Sequence, residues 1–298
     1  MKKQLVASLF AILLSILAPV MTARAQTPKC GEKDYDCRIK ELEARIKADP
    51  RDSEAYYSLG LALQVVGGYE RSVSMFDRYL SLGVNNPQYR ADAYTYRAFS
   101  QHKLGYNELA VNDSTRAIEL FPANPDYYVD RGAAYNNLKN FDLAAADFTK
   151  AIGLKKDYRS AFFNRGYAYM EQKTYPSAIA DFTTAIALDP SEGEAYYNRG
   201  NIYYRIKEYS KAIVDLSRYI DLNKSREELM SDGYENRGLA YLDSGNPAKA
   251  LLDFTKAIQL KPNWKTGYQN RAAAYRKLNK TALAAADEEK AATLEDKR

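Results

Sequence analysis

Along most of this chain, apolar and small residues recur at three- and four-residue spacings, the mark of helix faces rather than strands. Between Gly193 and Leu222, Tyr196, Gly200 and Tyr203 fall at i, i+4 and i+7, and Ala212, Leu216 and Tyr219 repeat that spacing. The pattern predicts two helices around a turn, each with an apolar stripe that the other can bury. One such hairpin cannot close a core, so it must stack on copies of itself. Aligned to itself with a period of 34 residues, the chain gives seven such repeats: 53–86, 91–124, 125–158, 159–192, 193–226, 231–264 and 265–298. Four extra residues follow the first and the fifth, and a larger residue, Tyr79 or Tyr219, stands just before each. Other repeats have Ala there, so the expectation is two bends where the tyrosines wedge the next helix outwards.

Position 8 of the repeat is small throughout (Gly60, Ala98, Gly132, Gly166, Gly200, Gly238, Ala272), and so is position 20 (Ser72, then Ala110, Ala144, Ala178, Ala212, Ala250, Ala284). Gly inside a helix costs about 1 kcal/mol relative to Ala, so its recurrence predicts a close approach of the two helices. Tyr or Phe fills position 4 everywhere, Tyr fills position 11 from Tyr135 onward, and Phe76, Phe148, Phe182 and Phe254 stand at position 24. These rings predict core packing rather than a base-stacking device. Position 7 is Arg in six repeats (Arg97, Arg131, Arg165, Arg199, Arg237, Arg271) and position 23 is Asp in the same six (Asp113, Asp147, Asp181, Asp215, Asp253, Asp287). The first repeat has Leu59 and Met75 instead. Residues that switch together predict contact, and Arg can offer a carboxylate a bidentate fork; spacing leaves open whether the pairs run within or between repeats. Six equivalent copies argue for a structural ladder over a single catalytic pair.

With these positions in view, the chain resembles the tetratricopeptide repeat (TPR) family in its period, its small, aromatic and Ala positions, and Pro122, Pro190 and Pro262 at position 32. Asn107, Ser114 and Glu288 depart from the pattern, and looser packing is expected there. The resemblance implies an all-α fold, a right-handed superhelical α-solenoid of seven helix-turn-helix units. Ile39, Leu42 and Ile46 form one more stripe, predicting an N-terminal capping helix within the segment 26–52. The resemblance also implies that first helices line a concave groove, here carrying Asn164, Asn198, Asn236 and Asn270. A carboxamide both donates and accepts, so this row could hold the backbone of an extended peptide. Phe163, Tyr167, Met170, Tyr197, Tyr204, Leu239 and Leu242 would add apolar anchors. The lining holds nine acids (Glu54, Asp92, Asp126, Asp130, Glu171, Glu194, Asp232, Glu235, Asp243) against four bases (Lys103, Arg205, Arg276, Lys277). That balance favours a basic or neutral protein segment, extended or helical, over a carboxylate-terminated one.

The first residues read differently. Lys2 and Lys3 precede an apolar run from Leu5 to Leu17, and Ala23-Arg24-Ala25 follows, the pattern of a cleaved secretory signal over 1–25. The mature protein would begin at Gln26, in a periplasm or outside the cell, with no membrane span. Loss of Lys2, Lys3 and Arg24 lowers the formal charge by three, from +5 to +2, and removes any case for a nucleic-acid footprint. In an oxidising compartment Cys30 and Cys37, the only two cysteines, predict a local disulfide. Chemistry is sparse: one histidine, His102, and no phosphate loop, metal-ligand set or nucleophile elbow. No cofactor, metal or enzyme activity is expected. The function expected is an exported interaction scaffold. Alternatives are a structural subunit of an envelope or secretion complex held by its convex face, and a cell-wall glycan binder.

Overall fold

The computed structural model describes residues 30–31 and 34–294, so the expected signal segment lies outside the described residues. These contain fifteen α-helices and no strand. None is long and apolar enough to cross a membrane. The chain divides after Gly83 into two compact units.

The N-terminal unit holds α1 (Tyr35–Ala48), α2 (Ser53–Val65) and α3 (Tyr69–Ser81). Asp34 and Asp52 cap α1 and α2 by accepting from the amides of Cys37 and Ala55. Ile39 and Leu42 of α1 pack on Ala55, Leu59, Ala62 and Leu63 of α2, with Met75 alongside, so the helix covers the apolar face of the first repeat. Leu59 and Met75 thus meet in the core where later repeats place Arg and Asp. Arg45 ties the two helices at their ends, reaching Asp52 at 3.0 Å and Glu54 at 3.4 Å. Cys30 and Cys37 form a disulfide just ahead of α1 and in its first turn, their Cα atoms 5.6 Å apart.

The C-terminal unit holds six helix pairs: α4 (Pro87–Lys103) with α5 (Asn107–Leu120), α6 (Pro125–Asn137) with α7 (Phe141–Leu154), α8 (Arg159–Glu171) with α9 (Tyr175–Leu188), α10 (Gly193–Arg205) with α11 (Tyr209–Leu222), α12 (Glu227–Asp243) with α13 (Pro247–Leu260), and α14 (Lys265–Lys277) with α15 (Thr281–Ala292). Each helix packs on the next in sequence. First helices of successive repeats also touch, whereas their second helices do not. Within this unit the first helices therefore lie on the inside of the curve, and the fold is an all-α helical-repeat solenoid.

Position 15 makes each turn. It takes a left-handed backbone in Gly105, Lys139, Lys173, Lys207, Gly245 and Asn279. The amide one residue on then bonds back to the carbonyl at position 11, as from Thr174 to Tyr169 at 2.9 Å and Glu208 to Tyr203 at 2.8 Å, closing a Schellman turn. Glycine at position 8 answers to position 24. A Cβ on Gly132 would lie 2.8 Å from the Phe148 ring, and one on Gly238 2.6 Å from Phe254. The second and last repeats, with Ala98 and Ala272, carry Ser114 and Glu288 in place of the ring. In the second repeat Gln101 also replaces the position-11 Tyr, and its Oε1 and the Ser114 hydroxyl are buried without a hydrogen-bond partner. The departures at this repeat thus take the form of unsatisfied buried polar atoms, while Ser114, Ala98 and Ala110 remain buried.

The ladder forms inside each repeat. All six Arg residues donate two bonds of 2.6–2.8 Å to the two oxygens of the Asp sixteen residues on. In all of these repeats but the second the guanidinium also sits between the aromatic rings at positions 4 and 11, Arg199 lying 5.9 Å from the centroids of both Tyr196 and Tyr203. These rings therefore clasp the ladder on one side while packing on the core clusters on the other, as expected, with Phe148, Phe182 and Phe254 at position 24 the fully buried rings. Four Arg residues reach back one repeat as well: Arg131 to Thr115 (3.1 Å), and Arg165, Arg199 and Arg237 to Thr149, Thr183 and Ser217 (each 2.9 Å).

The surplus residues do not lengthen the connectors. They add one turn to the N-termini of α4 and α12, which run 17 residues against 13 for the other first helices of this unit. Nor does Tyr219 rely on pushing its neighbours away. Its ring occupies the room left by Gly193 and Gly233, whose Cβ atoms would come within 3.3 and 2.9 Å of it.

Candidate functional site

The inward side of α4, α6, α8, α10, α12 and α14 forms a trough. Side chains one repeat apart meet along it. Asn236 donates to Tyr197 Oη (3.0 Å) and Asn201 Oδ1 (2.9 Å), Asn270 donates to Glu235 (3.4 Å), and Tyr204 donates to Asp243 (2.6 Å). Asn136 donates to the Asn164 backbone carbonyl at 3.3 Å. The row of four carboxamides is thus of two kinds. Asn236 and Asn270 have their amide nitrogens engaged by the neighbouring repeat; the side chains of Asn164 and Asn198, half-buried, make no hydrogen bond among the described residues.

The apolar candidates divide similarly. Phe163 packs edge-on to Phe182 (5.7 Å between centroids) and Met170 joins the same cluster. Leu239 and Leu242 lean on the cluster around Phe254, and Tyr197 stacks on Tyr219 at 4.7 Å. Tyr204 packs in the same cluster as Tyr197, around Leu216. Tyr167 alone of these is exposed.

The acids of the trough crowd one another. Crowding by the trough walls and the charge of Asp126 push the Asp130 carboxyl up to about 7, although the residue stays more than a third open to solvent, which screens part of the effect. Burial, followed by the charge of Asp232, pushes Glu235 up to about 7 despite Lys261 nearby. Asp92 and Glu194 are raised too, both chiefly by burial. A carboxylate that resists ionising in this way gains from an incoming cation. Lys261 supplies one internally, its Nζ 2.6 Å from Asp232. His102 lies between Asn107 and Asn137 in neighbouring repeats, and burial lowers its basicity. Among the described residues no group of His, Cys, Asp and Glu could hold a metal ion.

Sequence reasoning missed the Thr/Ser rungs of the ladder, although the recurrence of Thr115, Thr149, Thr183, Ser217 and Thr255 at position 25 was there to find. It also missed the split in the carboxamide row, which depends on Tyr197, Asn201 and Glu235 and has no periodic signal.

Comparison with known proteins agrees with this architecture. Family models for the TPR repeat match residues 166–207, and models for the tetratricopeptide repeat match 125–158, 193–225 and 231–263. No curated protein matches the chain. Among solved structures, the MamA protein is 28% identical, covering 57% of this chain and 90% of its own, with a TM-score of 0.53. The C-terminal part of a TPR repeat-containing protein from Cytophaga hutchinsonii is 18% identical, covering 79% of this chain and 94% of its own, with a TM-score of 0.63. YrrB, described as a TPR protein with an unusual peptide-binding site, is 21% identical, covering 64% of this chain and 96% of its own, with a TM-score of 0.50. The chain is a tetratricopeptide repeat protein.

Proposed function

We propose that this chain is an exported, non-enzymatic scaffold that takes a basic or neutral segment of a partner protein in the trough of its first helices. The observation that carries the reading is the pair Asn164 and Asn198. They stand at the same position one repeat apart, half-buried, with side chains that make no hydrogen bond among the described residues. A carboxamide left in that state is suited to pairing with the backbone of an extended segment, and this part of the contact does not read the segment's side chains. The raised carboxyls of Asp130 and Glu235 support a partner that is not acidic. Export rests on the leader pattern of residues 1–25 and on the Cys30–Cys37 pair.

The test is a pull-down with the Asn164→Ala, Asn198→Ala double variant against the wild-type chain. Loss of the captured partner supports trough binding; unchanged capture contradicts it. One observation favours a second reading, a subunit held by its outer face: Val214 and Leu252, on α11 and α13, are each 68% exposed. Val214→Asp with Leu252→Asp would abolish capture under that reading and leave it intact under the first.

A further inference from the structure

We propose that Asp92, Asp126 and Asp130, in the second and third repeats, form a subsite for a primary ammonium group, the side chain of a lysine on the partner segment. This rests on the reading of the trough as the partner's site. Asp92 stands on α4 and the other two on α6, both within the C-terminal unit. Asp130 makes no hydrogen bond or ion pair among the described residues, and no Lys or Arg figures among the charges acting on it. Gln88 donates to one oxygen of Asp92 at 2.9 Å, and Tyr158 donates to Asp126.

A second observation points to a ligand. Position 3 is Ala or Gly in every repeat but the third, which has Tyr127. This residue is only 4% exposed, and its hydroxyl makes no well-formed hydrogen bond. Its polar neighbours are Asp92, Gln88 and Asn124. With the proton of this buried hydroxyl turned towards the Asp92 carboxylate, its oxygen is left to accept from an incoming donor. An ammonium has three donors and no acceptor, and can serve Asp92, Asp130 and Tyr127 Oη together.

The chain itself contains a precedent. Asp232, at position 2 of the sixth repeat, binds Lys261, at position 31 of the same repeat, at 2.6 Å. Asp92 and Asp126 hold position 2 in their own repeats. Position 31 is Phe121 in the second repeat; in the third it is Lys155, whose Nζ lies 4.7 Å from the Tyr158 ring centroid. The carboxylates remain while the internal lysine is gone or turned aside. Burial holds Asp92 towards its neutral form, the charge of Asp126 helps to do the same for Asp130, and a bound ammonium would let both ionise.

The test measures fluorescence anisotropy of a labelled alternating Ala-Lys peptide, and of its Ala-Gln counterpart, with the full chain. Wild type should prefer the lysine peptide, and Asp92→Asn with Asp130→Asn should weaken that peptide about tenfold while leaving the glutamine peptide unchanged. Tyr127→Phe keeps the packed ring, removes only the hydroxyl, and should weaken the lysine peptide in the same selective way. Equal affinity of wild type and the double Asp variant for the lysine peptide would overturn the subsite. If Asn164→Ala with Asn198→Ala still weakened both peptides, the trough reading would survive that result; if it did not, both would fall. Spermidine displacing the peptide at concentrations equal to the peptide's own dissociation constant would assign the site to a free polyamine and overturn the lysine assignment.

Discussion

Arg199 and Asp215 meet through two parallel hydrogen bonds of 2.8 Å, sixteen residues apart, and the remaining arm of the same guanidinium reaches Thr183 of the repeat before. One side chain thereby fixes both the geometry inside a repeat and the register between two. The Thr183 hydroxyl can accept this bond because its own proton goes to the Ile179 carbonyl at 2.6 Å.

Removing the buried partner should be costly. Asp215, 3% exposed, leaves Arg199 uncompensated when it is cut to Ala. Asp215→Ala is expected to destabilise by roughly 3 kcal/mol. Thr183→Val should cost roughly 1 kcal/mol, because only the bond between repeats is lost. Urea unfolding of the two variants against wild type checks both. A loss for Asp215→Ala no larger than that for Thr183→Val would mean that the pair behaves as a surface contact.

Tyr219 fits because its neighbours have no side chain. Gly233→Ala would place a Cβ 2.7 Å from Ile220 and 2.9 Å from Tyr219. The expected cost is roughly 1–3 kcal/mol. Tyr219→Ala restores the residue found at this position in most repeats, and the double variant should recover part of the loss. A double-mutant cycle by thermal or urea unfolding measures the coupling; strict additivity would refute the fit.

The turns at Lys139, Lys173 and Lys207 place a lysine where the backbone is left-handed, which costs more than Gly or Asn there. Lys173 sits at φ 62° with nothing to reward a side chain there, whereas Gly245 fills the equivalent place at φ 83°. Lys173→Gly should stabilise by roughly 1 kcal/mol and Gly245→Ala should destabilise by a similar amount. Melting temperatures should move in opposite directions.

The crowded acids give a pH dependence of definite sign. Glu235 has a folded-state value pushed up to about 7, against about 4 in an unfolded chain, and Asp130 shifts the same way with a share reduced by its exposure to solvent. Between those values the folded protein holds more protons, so their contribution to stability is full below about 4 and fades as pH rises through 7. Asp126, Tyr127 and Tyr158 act around Asp130, and Asp232, Lys261 and Asn270 around Glu235. Asp130→Asn with Glu235→Gln should flatten the fall in melting temperature across this window and raise it above pH 7. A profile parallel to wild type would contradict the assignment.

Much of the fold was legible because a repeat states each requirement several times. The joint absence of Arg and Asp from the first repeat, at Leu59 and Met75, pointed to their contact before any coordinates. The surplus residues were counted in sequence but their destination was not read. Pro87 after the capping Asn86, and Glu227-Glu228 in a first turn, were helix-start signals at those places. The trough was harder. Which carboxamides are already engaged depends on single, non-repeating neighbours such as Glu235 and Asn201, and Tyr127 breaks the pattern only once.

In the proposed binding mode a partner segment lies along the inward faces of α8, α10 and α12. Photoreactive residues at Tyr197 and Leu239, within that trough, and at Val214 and Leu252, outside it, test this most directly when irradiated in the cell that makes the protein. The expected result is one shared crosslinked partner from Tyr197 and Leu239 and none from the other two. The same partner captured from Val214 and Leu252, with the trough positions silent, would contradict it.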